Sequence, residues 1–112
     1  MTKSIPGGPR AANRLRKILR SRAEIRTDTD RVFHARTIDI SIVGMSLMSP
    51  HELEDGACLT VVFQIPTQGK LETVSSAASV LYCTPDDTEG FRLGIRFIDH
   101  DALRNDLINT LL

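Results

Sequence analysis

The chain has 112 residues, 41% hydrophobic and 25% charged, which suits one small domain able to bury a core. Four Phe, one Tyr and no Trp argue against an aromatic platform for stacking single-stranded nucleic acid. The formal net charge of zero hides an asymmetry: residues 1–26 carry eight basic side chains against Glu24, a net of +7, so the remainder carries −7. A basic arm on an acidic body suits the binding of an anion, or docking of the arm on its own domain.

Pro6, Gly7, Gly8 and Pro9 break regular structure, so residues 1–13 are expected to be a flexible segment, with the folded domain at 14–112. Residues 10–20 could place Leu15, Ile18 and Leu19 on one side of a helical turn. They carry too much positive charge for a stable isolated helix, and a loop or a turn ordered by ligand is expected.

From there the chain reads as strands. Phe33, Ala35 and Thr37 alternate with His34, Arg36 and Ile38. Leu59, Val61, Phe63 and Ile65 alternate with Thr60, Val62 and Gln64, and Phe91, Leu93, Ile95 and Phe97 with Arg92, Gly94 and Arg96. Period two with one apolar face signals half-buried strands. Residues 70–83 form a long β-rich stretch, in which the small residues Ser75–Ser79 suggest a bend or bulge. Turn signals such as Asp28–Asp30, Glu54-Asp55-Gly56 and Pro66–Gly69 separate the strands and favour antiparallel pairing. Leu103, Leu107, Ile108 and Leu111 then recur at helical spacing, with Asp99 or Asp101 as the cap, predicting a helix over 100–111. The expected fold is all-β with a C-terminal helix: a small six-stranded antiparallel β-barrel carrying a flexible basic N-terminal arm.

Catalytic chemistry finds little support. Glu52, Glu54 and Asp55 suit a solvated turn better than paired catalytic carboxylates, and His34 reads as structural. Cys58 and Cys83 fall in apolar strand-like stretches and read as reduced core thiols, as in the cytosol. With His34, His51 and His100 they make no metal-ligand pattern, so neither metal nor cofactor is expected. No signal-peptide h-region and no run of 18 apolar residues occurs, so a cytoplasmic protein without a membrane span is expected. The reading is a binding module, not an enzyme.

Two motifs carry chemistry. The hexapeptide Asp39-Ile40-Ser41-Ile42-Val43-Gly44 ends a predicted strand, offering a carboxylate, a hydroxyl and bare backbone. It could equally be a strand-ending turn in which Asp39 and Ser41 bond local backbone. The spacing RxxxR occurs four times, at Arg10/Arg14, Arg16/Arg20, Arg22/Arg26 and Arg92/Arg96. Arg22 and Arg26 read more simply as exposed barrel residues.

RxxxR followed by DxSxxG, with Gly90–Phe97 as a closing strand, resembles the PilZ domain family of bacterial receptors for cyclic di-GMP. In that family the arginine pair lies just before the first strand, about two dozen residues ahead of the aspartate, which selects Arg16/Arg20. The resemblance thus implies that Arg16, Arg20, Asp39, Ser41 and Gly44 bind cyclic di-GMP. Guanidinium forks match guanine O6 and N7 and also pair with phosphate. Asp39 can accept from guanine N–H donors, Ser41 can bond a base amine or a phosphate, and Gly44 lets backbone approach the ligand. Many members carry another arginine directly before RxxxR, where this chain has Leu15, which favours one ligand per site over a stacked pair. A small receptor of this kind signals through another protein, and motility, pilus and polysaccharide machinery are outputs seen in the family. The ligand is expected to order the basic arm, slowing exchange at residues 14–20. Two other readings compete: a nucleic-acid binder using the arm, and a ligand-independent PilZ-like interaction module, against which the retention of all five positions argues.

Overall fold

The computed structural model describes residues 16–87 and 90–111. The segment 1–13 expected to be flexible, and with it Arg10, Arg14 and Leu15, lies outside the described residues. The elements are β1 (Lys17–Ile18), β2 (Arg22–Thr27), β3 (Val32–Ile40), β4 (Gly44–Ser49), β5 (Cys58–Thr67), β6 (Lys70–Pro85), β7 (Phe91–Phe97) and α1 (Ala102–Asn109).

Alternation closes the barrel. In β5, Leu59, Val61, Phe63 and Ile65 turn inward, and in β7 Leu93, Ile95 and Phe97 do the same. Strands β2, β5, β6, β7, β4 and β3 pair in that order, all antiparallel, and β3 pairs again with β2, which leaves the six-stranded ring without an open edge. Gln68 and Gly69, with φ of 44° and 79°, form a two-residue hairpin loop between β5 and β6 whose left-handed backbone matches the strand twist.

The structure departs from the sequence expectations in four places. Residues 17–18 are a strand, not a loop or helical turn: β1 pairs with β3, Lys17 opposite Ile40 and Ile18 opposite Asp39. The segment is better anchored than its charge suggested, because Leu19 is buried in the core and its N–H donates to the Ile38 carbonyl at 3.1 Å. The irregularity of β6 lies between Val80 and Tyr82, beyond the small-residue run. It puts Leu81 and Tyr82 both outward and turns Cys83 toward the core. Cys58 is exposed, since the alternation that buries Leu59 sends it outward; Cys83 is half-buried, and both thiols are free. Leu103 is 67% exposed, and the neighbouring buried place on α1 belongs to Arg104.

The helix is otherwise where its pattern put it. The Asp101 carboxylate caps it, accepting from the Arg104 backbone N–H at 3.0 Å. Ile108 joins the core, with Leu107 and Leu111 packed against it. Arg104 lies over the Phe97 ring, 4.2 Å from its centroid, and donates to Asp99 Oδ1 at 2.7 Å and Ser76 Oγ at 2.9 Å. Partial burial would raise the Asp99 carboxyl, but the hydrogen bonds from Arg104 and the Ala77 N–H, with the Arg104 charge, outweigh it and hold the group below the usual carboxylate range. At the other end of the helix, Lys17 Nζ donates to the carbonyls of Leu111 at 2.6 Å and Asn109 at 3.1 Å, so β1 is tied to the helix C-terminus.

Candidate functional site

A bulge presents Arg20. Strands β1 and β2 run along the same side of β3 as one interrupted strand, with residues 19–21 between them. The break leaves backbone groups without ladder partners, and the buried Thr37 hydroxyl of β3 fills the gap. It accepts from the Ser21 N–H at 2.8 Å and donates to the Leu19 carbonyl at 2.5 Å. Leu19 is thereby held inward and Arg20 outward.

A second irregularity, between Thr37 and Asp39 in the pairing of β3 with β4, positions the aspartate. Thr37 faces the core, while Ile38 and Asp39 are both half-exposed. Arg16 Nη1 donates to Asp39 Oδ1 at 2.9 Å, with about a third of the arginine side chain and a fifth of the aspartate exposed. Beside this ion pair, a concavity of about 550 Å³ is lined by Arg20, Ser21, Arg22, Arg36, Thr37, Ile38 and Met48. Three arginines, the hydroxyl residues Ser21 and Thr37 and the apolar Ile38 and Met48 make up its lining, and among the described residues no carboxylate lines it.

The other two motif residues have local structural work. Ser41 is fully buried; its hydroxyl accepts from the Val43 N–H at 3.2 Å, and its own N–H donates to the Gly44 carbonyl at 2.8 Å, which closes the turn into β4. Gly44 lies so close to β7 that a Cβ would sit 2.1 Å from the Ile95 carbonyl oxygen. Bare backbone is thus required by strand packing. Of the five residues singled out from the sequence, Arg16 and Asp39 are in contact and Arg20 lines the adjoining concavity, whereas Ser41 and Gly44 shape the turn that follows Asp39.

Arg36 was not singled out from the sequence, although its place three residues before Asp39 on the polar face of a predicted strand was a usable signal. Its neighbour in the concavity, Arg22, comes from β2 through strand register.

Six antiparallel strands closed into a ring, with a basic concavity beside a DxSxxG turn, define a small β-barrel domain. The chain belongs to the PilZ domain family, whose family model matches residues 9–112. It is similar to the solved structure of the Bacillus subtilis inhibitor of motility, MotI/DgrA, with a TM-score of 0.74 at 14% identity, over 83% of this chain and 45% of that one. The chain therefore spans less than half the length of that protein, and the likeness is one of fold. A search of curated proteins finds no significant match. Among the described residues, no helix is long and apolar enough to cross a membrane.

Proposed function

We propose that the protein is a non-catalytic receptor for cyclic di-GMP that signals through a protein partner. The observation that carries this reading is the meeting of the two motifs at one place: Arg16 reaches Asp39, with Arg20 on the adjoining basic concavity. A ligand with two guanines and two phosphates needs both charges. Asp39 accepts from a guanine N–H edge, and Arg16 and Arg20 serve the O6/N7 edge or a phosphate. Ser41 and Gly44 act indirectly, by fixing the turn that holds Asp39. The ligand competes for the Arg16–Asp39 contact, so its binding reorganises the chain at Arg16 and orders the arginine-rich arm around it. β1 is already paired with β3, which limits that change to Arg16 and the segment ahead of it. The arm and the adjacent barrel face then offer a composite surface to an effector, for which motility, pilus or polysaccharide machinery are the candidate classes.

Calorimetric titration with cyclic di-GMP, GTP and an oligonucleotide tests the proposal. Saturable binding of cyclic di-GMP that GTP does not match is expected. Equal binding of GTP contradicts it, and tight, steeply salt-dependent binding of the oligonucleotide would instead favour a nucleic-acid binder.

A further inference from the structure

Arg22 on β2 stands directly opposite Arg36 on β3 in the antiparallel ladder, and both side chains are exposed. Like charges facing each other across a strand pair cost stability. Three other arginines have counterions in the fold: Arg16 has Asp39, Arg26 has Glu24 and Arg104 has Asp99. Among the described residues, Arg22 and Arg36 make no ion pair. Arg20, Arg31, Arg92 and Arg96 also make none, but of these only Arg20 lines the concavity that Arg22 and Arg36 share.

That concavity continues past the pair. Arg36 and Met48, opposite each other across β3 and β4, also wall a second hollow of about 340 Å³ that runs to Pro50 and Gly90. Asp39 and Arg36 are three residues apart on one strand, about 10 Å at ~3.4 Å per residue. A ligand held at Asp39 by a guanine edge can thus lay its ring along β3 toward Arg36.

We infer that Arg22 and Arg36 are further ligand residues of this site, and that they receive a phosphodiester of cyclic di-GMP between them while Ile38 and Met48 lie under its sugar or base. The inference rests on the receptor reading above. Two guanidiniums from adjacent strands give four or more N–H donors converging on one side, which suits the non-bridging oxygens of a phosphodiester. A bound phosphate also removes the Arg22–Arg36 repulsion, so the pair favours the ligand-bound state twice: by direct hydrogen bonds and by relief of like charge. Arginines from two barrel strands supply guanidiniums where Leu15 supplies none.

The test is calorimetry with cyclic di-GMP on the wild type, Arg22→Gln, Arg36→Gln and the control Arg26→Gln, alongside ligand-free thermal melts. Arg26 projects from the same face of β2 but pairs with Glu24 and lies outside the concavity. Arg22→Gln and Arg36→Gln should each weaken binding roughly ten- to hundredfold, with the ligand-free melting temperature unchanged or raised, while Arg26→Gln binds as the wild type does. Wild-type affinity in both variants would overturn this inference and leave the receptor reading standing. Absence of wild-type binding would overturn both. Weaker binding with a lower ligand-free melting temperature in both variants would also overturn the inference, because the pair would then be holding the fold.

Discussion

Arg16 Nη1 and Asp39 Oδ1 meet at 2.9 Å across 23 residues of chain, so the last arginine-rich step before the barrel is placed at the end of β3. The pair is partly solvated, and such contacts contribute about 0–1 kcal/mol to stability. Its significance lies in what it positions. It sets a guanidinium and a carboxylate side by side, next to a concavity that no carboxylate lines among the described residues.

Asp39→Ala and Arg20→Ala should therefore separate binding from folding. Each should weaken cyclic di-GMP binding by about 1–3 kcal/mol, the range for a lost charged hydrogen bond or bidentate base contact. Unfolding in urea should change by no more than about 1 kcal/mol. Comparable losses in both measurements would mean that these residues hold the barrel together.

The turn after Asp39 should behave in the opposite way. Gly44→Ala drives a methyl into the Ile95 carbonyl and should cost about 2–3 kcal/mol of stability by separating β4 from β7. Ser41→Ala leaves the Val43 N–H without its acceptor and should cost about 1 kcal/mol. If Ser41→Ala abolishes ligand binding at unchanged stability, its hydroxyl contacts the ligand directly.

How much of this was legible in the chain follows from the range of each interaction. The barrel strands could be read because Leu59–Ile65 and Leu93–Phe97 alternate locally, and the helix because Ile108 and its neighbours recur every three or four residues. β1 could not be read: its order depends on Leu19 reaching a core built by distant strands and on the Thr37 hydroxyl, 16 and 18 residues away, satisfying the break. Ser76 looked like part of a bend but is a buried partner of Arg104, 28 residues on. Leu103 fitted the apolar stripe, yet Arg104 takes the buried position because Phe97, Asp99 and Ser76 together accommodate its charge. The candidate site was legible as a motif, but the split between Arg16, Arg20 and Asp39 at or beside the concavity and Ser41 and Gly44 within the turn is visible only in three dimensions.

Arg104 yields a pH prediction. The lowered Asp99 carboxyl favours the folded state at pH values above the ordinary Asp value of 3.8, and this contribution is lost as pH falls further through the folded-state value. Wild-type stability should thus decline below about pH 4 more steeply than that of Arg104→Met, which has lost the pair. At neutral pH, Arg104→Met should be less stable by roughly 1–3 kcal/mol, through hydrogen bonds lost to Asp99 and Ser76. Parallel acid profiles for the two proteins would contradict this account.

Lys17 links the arm to the helix. Lys17→Met removes the donor that serves the Asn109 and Leu111 carbonyls and should cost about 0.5–1 kcal/mol. Amide exchange at residues 107–111 should quicken, while the strand at 91–97 keeps its protection. Unaltered exchange at the helix end would show that the contact adds nothing to docking.

The most direct test of the central claim is amide chemical-shift mapping during a titration with cyclic di-GMP. The account predicts saturable changes concentrated at residues 16–22 and 36–41, with the β5–β6 hairpin at 66–71 undisturbed. No change at saturating ligand, or changes centred on the 66–71 hairpin instead, would contradict it.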